Sequence, residues 1–172
     1  MIKIYVANLG KYNEGKLVGA WITLPVSEEE LQEILTKEVG INEQYEEYAI
    51  HDFECDFMEI SEYSSISELN ELAELLEGLE EYQEKTLKAI IEWGYYGKDI
   101  KEAIENIDNF SLNEDIQNDY DLGYYYINEA GIYDLEAMGN LANYIDYEAF
   151  GRDIHLENES FYSEYGYIEY IG

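Results

Sequence analysis

The chain has 172 residues and carries 40 Asp and Glu against 9 Lys and Arg, a formal net charge of −31 with a pI near 4.1. Such a molecule repels free DNA, RNA and anionic membranes, which excludes ordinary nucleic-acid and membrane-surface binding. Hydrophobic residues at 47%, aromatics at 15%, 19 Tyr and a single Pro exclude a disordered acidic tail, so the chain folds against its own repulsion.

Two β-like runs open the chain, Lys3–Leu9 and Lys16–Leu24, joined by the turn-forming stretch Gly10–Gly15, and Pro25 ends the second. Ser27 with Glu30 predicts a helix start, followed by the apolar stripe Leu31, Ile34 and Leu35. Tyr48–Phe53 completes a small sheet. Beyond residue 62 the period becomes helical: Ser65 and Glu68 form a capping box ahead of Leu69, Leu72, Ala73 and Leu76, and Gly78 stops that helix. Leu87, Ile90 and Ile91 predict a second helix, and Ile100, Ala103, Ile104 and Ile107 a third. Ser111 with Glu114 marks another short cap. Asp121–Glu129 reads as a helix ended by Gly131, and Leu135–Tyr147 as one followed by Gly151. The tail from Ile154 to Ile171 reads as strands.

These elements predict an α+β fold in three segments: an α+β unit over 1–61, an acidic helical one over 62–106, and an α+β unit over 107–172. The single Cys55 leaves no disulfide framework and suits a reducing cytoplasm. Met1-Ile2-Lys3-Ile4 enters a strand directly, so no leader is expected, and no run of apolar residues is long enough to cross a membrane.

The acids are densest in the middle. Residues 28–84 hold 20 Asp and Glu and one base, Lys37. Glu68, Glu71, Glu74, Glu77, Glu80, Glu81 and Glu84 would span about 25 Å on one continuous helix, a spacing close to that of the phosphates along one DNA strand. The total charge matches roughly fifteen base pairs of duplex. An acidic helix face is ordinarily a solvated face, and like charges at i,i+3 cost about 0.2–0.5 kcal/mol per pair. With only nine bases to offset forty acids, the chain forgoes the relief that interspersed lysines would bring.

Catalytic patterns are missing. His51 and His155 lack zinc-protease spacing and His51 is expected to be structural; Cys55 is expected as a core thiol. Asp119–Gly123 fails as a calcium loop, Gly10, Gly15 and Gly19 fail as a phosphate loop, and Trp21 and Trp93 are expected in the core. No enzyme, cofactor or metal is expected.

The opening Tyr5-Val6-Ala7-Asn8-Leu9-Gly10-Lys11-Tyr12-Asn13-Glu14-Gly15, with Leu17-Val18-Gly19-Ala20-Trp21, resembles the start of the ArdA antirestriction proteins of bacterial mobile elements. The resemblance continues through Tyr45–Glu54 and returns in Asn143–Asp153. It implies a DNA mimic that inhibits type I restriction–modification enzymes at their DNA-binding groove. It further implies an elongated, curved homodimer of three-domain protomers joined through the carboxy-terminal domains.

The carboxylates expected on the mimic surface are Glu28, Glu29, Glu33, Glu46, Glu47, Glu68, Glu71, Glu74, Glu77, Glu80, Glu81, Glu84, Glu102, Glu105, Asp115 and Asp119. Tyr124, Tyr125, Tyr144, Ile145, Tyr147 and Phe150 are expected either to form the dimer interface or to fill the third segment's own core. Arg152, the only arginine, is expected to pair with a nearby acid. The alternative function is an acidic adaptor or inhibitor of another basic DNA-binding protein, and a carboxylate hydrolase stands as a third.

Overall fold

A computed structural model describes residues 1–172. The fold is α+β and divides into two compact units, Met1–Leu79 and Glu80–Gly172. The acidic stretch 62–106, which the sequence predicts as one segment, spans the division between the units.

In the first unit β1 (Ile2–Asn8) runs into a short helix, α1 (Leu9–Asn13), then β2 (Gly19–Leu24), α2 (Glu28–Ile34), a π turn over Leu35–Val39, β3 (Tyr48–Cys55) and α3 (Ile66–Glu77). The sheet order is β2-β1-β3, antiparallel throughout, with Ile4 opposite Ile22 and Phe53. Ile2, Ile4 and Val6 of β1 and Ile22 and Leu24 of β2 point inward and are buried together with Leu69, Ala73 and Leu76 of α3. The period of two then sends Trp21 outward, between buried Ala20 and Ile22. Trp21 is 41% exposed, which corrects its expected place in the core; its ring meets Tyr5, and the Lys3 ammonium lies 4.8 Å above it. Cys55 is half-buried rather than a core thiol.

Asn8 is the one fully buried amide of this unit. Its side chain accepts from the Lys11 backbone N–H, capping α1, and donates to the carbonyls of Val39 and Gly40, so one residue serves three backbone groups.

The second unit begins with α4 (Glu81–Trp93) and α5 (Ile100–Glu105), followed by β4 (Phe110–Asn113), α6 (Asp119–Tyr124) continuing as a π turn to Glu129, α7 (Leu135–Met138), α8 (Tyr147–Glu157), β5 (Ser160–Ser163) and β6 (Gly166–Tyr170). Its sheet order is β4-β6-β5, again antiparallel. Ile116, Leu122 and Tyr167 form a core beneath Tyr125, Tyr126, Ile154 and Tyr162. A second apolar group gathers Trp93, Tyr95, Phe110, Phe161 and Tyr170, ring against ring.

Several local expectations change here. Ser111 lies within β4 and caps no helix; Asn118 does so for α6, accepting from the Asp121 N–H. The predicted helix over Leu135–Tyr147 is one turn of α7 followed by a 3-10 stretch, Gly139–Tyr144. Gly151 does not follow a helix but sits inside α8, whose last turn takes Ile154–Glu157 out of the expected strands. The reason is tertiary. A Cβ on Gly151 would collide with the Asp119 carbonyl, and one on Gly123 with the Tyr147 carbonyl, so two glycines let the backbones of α6 and α8 touch. No helix is long and apolar enough to cross a membrane.

Candidate acidic interaction surface

Thirty-seven of the forty Asp and Glu side chains are exposed; the exceptions, Asp119, Asp121 and Glu169, are half-buried and none is buried. Of the sixteen carboxylates expected on the surface, fifteen lie there. Glu28, Glu29 and Glu33 stand on α2, whose N-cap Ser27 accepts from the Glu30 N–H. The first two also complement the positive end of that helix. Glu46 and Glu47 precede β3. Glu102 and Glu105 ride on α5, and Asp115 follows β4.

α3 is amphipathic in the way its sequence demands. Ile66, Leu69, Ala73 and Leu76 fall on the buried side, and Glu68, Glu71, Glu74 and Glu77 fan across the opposite half. Ser65 caps it, accepting from the Glu68 N–H. The row of seven glutamates is not one continuous helix, however. α3 ends at Glu77, Gly78 caps it, and α4 starts afresh with Glu80 as its N-cap in a capping box with Gln83. Glu80, Glu81 and Glu84 therefore gather around a helix N-terminus, where the macrodipole favours negative charge, instead of prolonging the α3 row.

Few of these acids are neutralised within the chain. Glu33 pairs with Lys37, Glu81 lies 3.8 Å from Lys85, and Lys85 makes its shorter contact, 2.8 Å, with Glu114. The Glu114 hydrogen bond raises the Lys85 pKa. Lys3 meets Glu54, Lys16 meets Glu14, and Arg152 pairs with the adjacent Asp153 at 3.9 Å, as expected. Tyr45 donates to Glu14, which with Lys16 lowers that carboxyl's pKa.

Asp119 stands apart from the other fifteen. It is half-buried and accepts a 2.8 Å hydrogen bond from the Tyr162 hydroxyl, tying α6 to β5. Burial and that bond raise the Tyr162 pKa far above its ordinary value. His155 is similarly structural: Nδ1 lies 2.8 Å from Ser160 Oγ and the ring packs on Tyr162. His51 is exposed with its ring edge-on to Tyr12.

The six aromatic and apolar residues expected at a subunit contact are spread unequally. Tyr147 and Phe150 are half-buried on α8, and Tyr147 donates to Asn128. Ile145 is half-buried, Tyr124 and Tyr125 lie on the turns of α6, and Tyr144 is 84% exposed. Its neighbours Leu141, Met138, Tyr133 and Ile132 are exposed as well. These four were not singled out in the sequence, since a lone apolar residue in a turn-rich stretch carries no periodic signal.

The site so defined is a charged surface, and no cluster of three or more His, Cys, Asp and Glu is placed to hold a metal ion. The molecule is thus an acidic α+β protein that displays most of its carboxylates at the surface. It belongs to the ArdA antirestriction protein family, whose model, described as Antirestriction protein (ArdA), matches residues 4–169. No curated protein matches the chain.

Proposed function

We propose that this chain is a non-enzymatic DNA mimic that occupies the DNA-binding groove of type I restriction–modification enzymes in the cytoplasm. Membership of an antirestriction family supports the biological role. The observation that carries the mechanism is the outward display of thirty-seven carboxylates with so few cations to quench them. A groove built to bind phosphates is lined with Lys and Arg, and such a display competes for it through the same electrostatic interaction that binds DNA.

The test mixes a purified type I enzyme with a duplex carrying its target and excess protein, and follows DNA retention, methyl transfer and cleavage. DNA binding falls as the protein is added and recovers as salt is raised. An enzyme that binds and methylates its DNA unchanged refutes the proposal, and capture of a different basic DNA-binding protein in its place favours the adaptor reading.

The same proposal pairs two copies through the second unit. Its support is the apolar stretch 132–144, where Tyr144, Leu141 and Ile132 are each more than 60% exposed. Light scattering on the wild type and on Tyr144→Asp reads this: a pair in the first and a single copy in the second.

A further inference from the structure

We infer that the open cleft between β4 and α6 is a socket for an arginine side chain of the protein partner. The inference rests on the proposed function and says what one part of that surface grips. The cleft has a volume of about 340 Å³. Tyr120 and Tyr124, one turn apart on α6, form its wall, with ring centroids 6.5 Å apart and planes 22° from parallel. Each ring also meets the half-buried Tyr147, Tyr120 edge-on at 5.6 Å and Tyr124 tilted at 5.4 Å, yet both stay more than 40% exposed. Tyr125 also lines the cleft, and Asp115, Asp121 and Glu129 supply the charge.

The three carboxylates differ in a way that matters. Asp121 is committed to its own helix start, accepting from the Gln117 N–H and the Asn118 amide. Asp115 and Glu129 have no cation within ion-pair distance and accept no hydrogen bond. Lys85 meanwhile neutralises Glu114, next door to Asp115. The chain thus quenches the acid beside the cleft and leaves two inside it open.

Aromatic faces beside free carboxylates suit a guanidinium better than an ammonium. The guanidinium is planar and weakly hydrated, so it stacks on a tyrosine while its N–H fork reaches a carboxylate; an ammonium keeps its water and forms no fork. The acidic face of a helix such as α3 has no aromatic wall beside its carboxylates and offers a partner chiefly a field, which any cation satisfies. A protein groove that reads DNA presents arginines for phosphates and guanine edges. The cleft gives one of them a holding place that a sugar–phosphate backbone lacks.

The experiment titrates the full-length protein with short labelled peptides, one alternating arginine with glycine and one lysine with glycine, and reads anisotropy at several salt concentrations. The arginine peptide binds more tightly. Tyr120→Ala and Tyr124→Ala each lower its affinity about 3- to 30-fold while leaving the salt dependence unchanged, and Tyr120→Phe, which keeps the ring, restores it. Glu129→Gln, at an exposed position that leaves the fold intact, weakens both peptides and flattens the salt dependence.

Equal binding of the two peptides overturns the inference, as do alanine variants that unfold at the wild-type temperature and still bind like wild type. So does a Tyr124→Ala variant that changes the number of copies per particle, which would make the cleft a subunit contact. The peptide measurement contains no restriction enzyme. Failure of the wild type to inhibit such an enzyme, with peptide preference intact, therefore refutes the DNA-mimic proposal and leaves the socket standing.

Discussion

Replacing Glu68, Glu74 and Glu77 by Gln removes three charges from the exposed half of α3 without touching its buried stripe or Glu71, which has a contact of its own. Three like-charge i,i+3 pairs disappear, each worth about 0.2–0.5 kcal/mol of repulsion, for a gain of roughly 0.6–1.5 kcal/mol. Loss of Glu68 from the first turn costs about 0.3–1 kcal/mol of dipole interaction, and loss of Glu77 from the last turn returns a similar amount. The first unit should therefore unfold at a higher temperature, by roughly 2–12 °C for a domain of this size. Inhibition should move the other way. Each carboxylate that faces a partner cation contributes up to about 0.9 to the slope of log K against log salt, so the variant's slope falls by up to about 2.7. Differential scanning calorimetry and a DNA-competition assay at several ionic strengths measure the two effects on one sample. A variant that is less stable, or that inhibits as well as wild type with the same slope, refutes the reasoning.

Raising ionic strength from about 0.01 to 0.15 M shortens the Debye length from about 30 to 8 Å, and should stabilise the protein while weakening inhibition; thermal melts and competition titrations check the two signs. Gly151→Ala drives a Cβ into the Asp119 carbonyl, where only backbone could give way, and should cost about 3 kcal/mol or more in a denaturant titration. Ser65→Ala removes the α3 cap and should cost about 1 kcal/mol in the same assay. Above pH 10 the unfolded chain releases its tyrosine protons, whereas burial holds Tyr95 to about 12 and Tyr162 higher still. The unfolded state then binds fewer protons than the native one, so stability falls as pH rises through that range. Absorbance of phenolate should rise in two stages, the second coincident with loss of circular dichroism; a single stage with the fold intact contradicts it.

Much of the fold was legible because its signals are local. Ser27 and Ser65 announce the starts of α2 and α3, and alternation in β1 and β2 assigns Ile2, Ile4, Ile22 and Leu24 to one face. Trp21 lies outside, as the same alternation dictates, although its residue type alone points to the core. Gly151 departs from its expected place after a helix for a different reason. A glycine that stops a helix and one that admits a second backbone look alike in the chain, and only the α6–α8 contact separates them. The Ser111–Glu114 spacing fits a cap, yet β4 pairs with β6, far along the chain.

Composition alone determined that this protein carries a large, mostly unneutralised negative charge, and amphipathic periodicity determined that helices such as α3 turn that charge outward: both are properties of counting and of spacing within a turn or two. The folded chain decided which expected surface acid is tied to a distant strand, because Asp119 accepts from Tyr162 across 43 residues. It likewise decided where tyrosine faces and free carboxylates meet in one cleft, since α6 and the turn after β4 must be packed before a cavity exists between them. Charge is additive along a sequence, whereas a hydrogen bond or a pocket requires two segments to arrive at the same place.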